Sequence, residues 1–262
     1  MQKFFVLLPK ELIENWKTHK IVLVFAFCIA LGLIVPFMAD GNYHGDPLVN
    51  PLQSGYIVYD FTDWLSMGML MLIPFMLMST VAKEVKDGLA AAVLVKPVGR
   101  GAYILAKFLV SYLIFALAVT VGFAICYIYA LRITRPWDLD PLSCELFFTM
   151  LGFMLLYTAF AVALTIFIST MLRNNVLAGA IAMVLLVAFY GLSFTENIRV
   201  FIPFEVVRWG WELVYPNAFQ LTAYPGMTPP ITSPYWYALW ITIGGLLLAI
   251  LGSILIIRKR EI

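Results

Sequence analysis

The side chains with the chemistry to cut bonds or bind metals are few. Two histidines, His19 and His44, and three cysteines, Cys28, Cys126 and Cys144, are the whole stock of imidazole and thiol in 262 residues. Their spacing groups them into no disulfide framework and no zinc or haem ligand set. Thr120, Thr149 and Thr165 lie in apolar runs without a recognisable acid/base partner. Hydroxyls so placed more often bond the backbone or pack helices than attack a substrate. The chain has no G-x-x-x-x-G-K-[ST] phosphate loop, so it is not expected to bind ATP in the P-loop manner. Neither catalysis nor a cofactor or metal of its own is expected.

Charge is concentrated instead in KEVKDGLAAAVLVKPVGRGAYILAKF, Lys83 to Phe108. Lys83, Glu84, Lys86 and Asp87 put four charges in five residues. Gly88 permits a bend, an alanine-rich stretch follows, and Pro97 with Gly99 interrupts it. Two readings fit: a short cytoplasmic helix that a soluble partner grips, or a plain charged hairpin.

The elements that hold this segment are apolar. The chain is 63% hydrophobic and 12% charged, against about a quarter charged in soluble domains. A spanning helix takes about 20 apolar residues to cross a hydrocarbon layer roughly 30 Å thick. Six runs meet that length: 21–38, 64–82, 108–131, 146–168, 176–194 and 235–257. The expectation is therefore an all-α integral membrane protein of six transmembrane helices, with 1–262 as one domain. Lys and Arg crowd one side: with both termini cytoplasmic, only Arg132, Arg135, Arg199 and Arg208 fall outside, and the outer loop 39–63 carries aspartates alone. That asymmetry orients the chain in a cytoplasmic membrane, and it explains the net charge of +2 without nucleic acid.

Residues 1–20 are too polar to span. Phe5, Leu8, Leu12 and Trp16 share one side of a helix there and Lys3, Lys10, Glu14 and Lys17 the other. This fits an interfacial helix touching membrane lipids, or a charged leader that fixes topology, with Pro9 as the point where a clean helix begins. Met67, Met71, Phe75 and Met78 recur at helical spacing on the second span. The stripe is either ordinary helix packing or the lining of a path for flexible apolar cargo. In 195–234, Glu205, Arg208 and Glu212 mark a short interfacial or re-entrant helix, followed by a proline-rich stretch. Span interiors free of Asp, Glu, Lys and Arg disfavour proton-coupled transport.

The segment after the second span resembles the first cytoplasmic loop of type-2 ABC transporter permeases (ABC-2). In that family a glutamate is followed by Gly-Thr-Leu, an apolar run, a Pro-x-x-Arg turn and a Gly-Lys before the third span. Glu84, Gly88, Pro97, Arg100 and Lys107 occupy those places here, with Leu89 for Thr and Ala106 for Gly. STMLRNN, with Arg173, is similar to the second cytoplasmic loop. The resemblance implies an exporter half in which Glu84, Gly88, Pro97, Arg100 and Arg173 serve ATPase docking through a coupling helix between spans two and three. It also implies two copies of an ABC ATPase subunit carrying ATP and Mg, a second permease subunit, identical or homologous, and a cargo path along Met67, Met71, Phe75 and Met78. From the residues alone, a non-transporting scaffold or sensor whose loop binds a regulator is the alternative.

Overall fold

The structure, a computed structural model, describes residues 2–43, 53–86, 99–133, 144–172, 174–193, 195, 198, 201–214 and 236–259. The described residues are helical and include no strand. In chain order the helices are α1 (Gln2–Lys17), α2 (Lys20–Tyr43), α3 (Gln53–Leu77), α4 (Ala82–Lys86), α5 (Arg100–Ile133), α6 (Cys144–Met171), α7 (Asn175–Leu192), α8 (Glu205–Val214) and α9 (Trp236–Lys259). Six of them, α2, α3, α5, α6, α7 and α9, are long and apolar enough to cross a membrane.

Burial sorts these six into an inner and an outer set. Two thirds of the α6 span and about 61% of the α3 span are buried, against 22% for both α7 and α9. The core is built from Phe61, Leu65, Met69 and Ile73 of α3, Phe115 and Phe123 of α5, and Met154 and Tyr157 of α6. α7 and α9 lean on α6 and turn apolar side chains such as Val184, Leu248 and Leu251 outward. Hydrocarbon is the solvent that such an all-apolar exterior suits.

α2 and α5 come closest. A Cβ on Gly32 would stand 2.6 Å from the Gly122 carbonyl oxygen, and one on Gly122 would stand 2.7 Å from the Cys28 carbonyl oxygen. Small residues on facing helices permit this backbone approach, the means by which helices associate where no hydrophobic force acts between them.

Helix limits differ from the sequence expectation where charge meets the interface. α3 starts at Gln53 rather than 64, α2 runs to Tyr43 rather than 38, and α5 starts at Arg100 rather than 108. An apolar window stops at the first charges, whereas the helix continues through the polar interface. Asp63 and Lys107, each one residue outside the apolar runs, consequently lie within the helical spans. Helix α1 also continues across Pro9, because docking of Leu7 and Glu11 on the bundle holds it there.

Candidate functional site

Glu84 is the residue of the sequence-derived docking set that the structure describes most fully, and it faces inward. It is 6% exposed on α4. The Lys107 ammonium, itself 2% exposed, donates to Glu84 Oε1 at 2.9 Å and to Glu11 Oε1 and Oε2 at 3.1 and 3.0 Å. Tyr103 donates its hydroxyl proton to Glu84 Oε2, and its ring lies 5.1 Å from the Lys107 ammonium. Tyr103 and Lys107 are one turn apart on α5, so both reach the same side.

α1 supplies the third member. Leu7 and Glu11, again one turn apart, are buried while Leu12, Ile13 and Trp16 are exposed. The helix thus has a bundle-facing side between the apolar and basic sides read from its sequence. Burial, assisted by the nearby Glu84 charge, raises the Glu11 carboxyl above its ordinary value although Lys107 pulls it down. Two carboxylates around one ammonium, shielded from water, make a node whose members are costly to remove singly.

Ser169 of α6 anchors the same short helix. Its hydroxyl oxygen accepts from the Val81 and Ala82 amides at 3.3 and 3.1 Å, and it donates to the Met78 carbonyl at 3.4 Å. These bonds serve groups that a helix start and a helix end leave open. Lys20 of α2 reaches Ser79 at 3.4 Å. The turn between α3 and α4 is therefore fastened to α2 and α6, and α4 to α5, whose Lys107 in turn holds α1.

The node is a closed set of ion pairs and hydrogen bonds. Glu11, Glu14 and Glu84 bring carboxylate oxygens within 4.8 Å of one another, but the Lys107 ammonium already bonds Glu11 and Glu84. A divalent cation would have to displace it.

Other residues expected at a site are distributed differently. Gly88, Pro97 and Arg173 lie outside the described residues, and Arg100 opens α5. Met67, Met71 and Phe75 share an outward face of α3, exposed by 38%, 49% and 62%. Met78 turns away to α7, its Cβ 2.7 Å from where a Gly179 Cβ would stand. A second outward feature is an apolar groove of about 310 Å³ lined by Phe160, Phe167, Phe189 and Phe201 together with Ile241 and Leu248.

At the opposite end of the bundle, α8 carries the Glu205–Arg208 stripe. Arg208 donates through Nε to the Tyr59 hydroxyl at 3.2 Å and lies 3.5 Å from Glu205, which is fully buried. Burial opposes the guanidinium charge, yet Tyr59, Glu205 and Asp63 outweigh it and hold its pKa above the ordinary value. Trp209 packs on Phe153 at 5.2 Å, tying α8 to α6.

Sequence reasoning passed over Glu11, Tyr103 and Ser169. Two signals existed: Glu11 stands one turn from Leu7 on a side that is neither wholly apolar nor basic, and Tyr103 stands one turn before Lys107. Nothing marked Ser169 as a partner of residues almost 90 positions away.

Six helices long and apolar enough to span, with buried charges gathered where the short helices dock on them, define a multi-pass membrane protein. The chain belongs to the ABC-2 family of transporter proteins, whose pattern matches residues 8–195, from within α1 to just beyond α7. It is accordingly the permease component of an ABC transporter and not its catalytic domain. It is also 25% identical over 221 residues to the uncharacterized transmembrane protein YxlG of Bacillus subtilis (strain 168), across 79% of this chain and 83% of that protein.

Proposed function

We propose that the chain is the membrane half of an ATP-driven exporter that moves amphiphilic or apolar cargo, peptide or lipid-like, across the cytoplasmic membrane. Two copies of a separate ATPase subunit, holding ATP and Mg, supply the work, and a second permease subunit completes the pathway. The observation that carries this reading is the fastening of α4: Glu84 to Lys107, Glu84 to Tyr103, and Ser169 to the amides at its start. Force applied beyond α4, around Gly88, Pro97 and Arg100, reaches α1, α5 and α6 through these bonds. Glu84 then serves as the anchor of the coupling helix rather than as a surface contact with the motor. The Lys and Arg asymmetry puts this end in the cytoplasm, where ATP is available.

The outward Met67, Met71 and Phe75 face supports an apolar cargo, since thioethers repack around irregular shapes. A charged cargo would meet no counter-charge along that stripe.

Co-purification from membranes of the source organism, followed by reconstitution, tests the reading. The expected result is a Walker-motif ATPase retained with the chain, and hydrolysis stimulated by amphiphilic peptides or lipids. Glu84→Gln should keep the ATPase bound while lowering that stimulation. An isolated chain with no ATPase bound, or unchanged stimulation in the variant, would overturn it.

A further inference from the structure

The outward face of α3 ends in charge. Met67 stands one turn from Asp63, and Asp63 one turn from Tyr59, so the stripe of Met67, Met71 and Phe75 leads at its outer end to a carboxylate. Asp63 and Tyr59 are half-buried, whereas the three stripe residues are exposed and uncharged. The guanidinium that acts on Asp63 is that of Arg208, which already gives its Nε proton to Tyr59 and stands 3.5 Å from Glu205. Among the described residues no hydrogen bond reaches the Asp63 carboxylate.

Two tyrosines complete the setting. Tyr190 of α7 is half-buried, and the charges of Asp63 and Arg208 both act on its hydroxyl. Tyr157 of α6 and Tyr190 meet the ring of Phe204 edge-on, with centroids 5.8 and 4.8 Å away, and the two hydroxyls act on each other. The Tyr157 hydroxyl is shielded from solvent and has no hydrogen-bond partner among the described residues. A buried hydroxyl left unbonded is costly, so it calls for a partner that the chain does not supply.

We infer that this junction of α3, α6, α7 and α8 binds an alkylammonium group, the cationic head of an amphiphilic cargo whose tail lies along Met67 and Met71. The inference deepens the cargo reading above and rests on it. An ammonium brings three N–H donors and no acceptor, which suits the open Asp63 carboxylate and the hydroxyl oxygens of Tyr157 and Tyr190. The bond to the carboxylate is charge-assisted on both sides. An anionic head would face Asp63 with like charge, and Arg208 is already engaged by Glu205 and Tyr59. A neutral head brings the carboxylate no counter-charge. An inorganic cation suits the oxygens but leaves the methionines uncovered.

Radiolabelled decylamine, a cation at neutral pH, tests this on the whole chain in phosphatidylcholine nanodiscs, with retention on empty discs subtracted. Saturable retention is expected. Unlabelled decylamine should displace it at roughly tenfold lower concentration than decanol does, since a hydrogen bond to a charged group exceeds one between neutral groups. Asp63→Asn should bring the two displacement curves together. Tyr157→Phe should weaken decylamine roughly fivefold without lowering the melting temperature of the ligand-free chain, because that hydroxyl has no bond to lose. A purely structural hydroxyl would give the reverse: a lower melting temperature with unchanged retention. If Asp63→Asn does not fold, Tyr157→Phe decides alone. Absence of saturable retention, equal displacement by decanol, retention unaltered in the variants, or displacement by an excess of sodium or potassium ions would overturn the inference. The measurement needs no ATPase, so it can fail while the ATP-driven transport reading stands.

Discussion

Lys107 and Glu84, separated by 23 positions in the chain, meet at 2.9 Å at a point where both side chains are almost fully shielded. The same ammonium bridges to Glu11, 96 positions away. One cation thus joins α1, α4 and the start of α5.

Removing that cation strands two buried carboxylates. Lys107→Met should cost about 3–5 kcal/mol, the range for breaking a buried ion pair from one side, and thermal unfolding in detergent measures it. Adding Glu84→Gln to Lys107→Met should recover part of the loss, because the two residues share one network. Simple additivity of the two substitutions would show that they do not act together.

Acid should strengthen the docking of α1. The folded state raises the Glu11 carboxyl above its ordinary value of 4.5. A group raised in this way favours folding below its unfolded value and loses that contribution as pH rises through the folded one. Melting temperature should therefore rise as pH falls from neutral toward 4.5, relative to Glu11→Gln, in which the titrating group is absent. Parallel pH profiles for the two proteins would contradict the assignment.

Ser169→Ala removes the acceptor for the Val81 and Ala82 amides. The loss should be about 1 kcal/mol, comparable with deleting a helix cap. Amide exchange should quicken in 81–86 while the centre of α6 stays protected. Uniform quickening over both would indicate a global effect instead.

Close packing of α2 on α5 leaves no room at Gly122, where an added Cβ falls 2.7 Å from a backbone oxygen. Gly122→Val should abolish stable purification, whereas Gly152→Ala, with no atom within 4 Å of the added Cβ, should be neutral or stabilising by up to about 1 kcal/mol. Size-exclusion profiles of the two variants discriminate between packing and a general intolerance of glycine replacement.

At the other end, Arg208→Met removes the cation 3.5 Å from buried Glu205. It should destabilise by roughly 3 kcal/mol and alter the emission of Trp209, which packs on Phe153. Arg208→Lys should restore part of the stability through charge, though not the Nε bond to Tyr59.

The six apolar runs and the uneven spread of lysine and arginine between them were readable along the chain. Hydrocarbon thickness sets the run length, and charge near the span ends sets the sidedness, so neither depends on which helix packs on which. The motif around Glu84 was readable too, as was the charged stripe at Glu205 and Arg208. The direction in which Glu84 faces was not. Helical periodicity records which side of a helix is apolar, and it carries nothing about a carboxylate on one helix meeting an ammonium on another. Only the packing of α1, α4 and α5 turned Glu11, Glu84 and Lys107 toward one another, because buried charges are tolerated where a partner stands within hydrogen-bond reach.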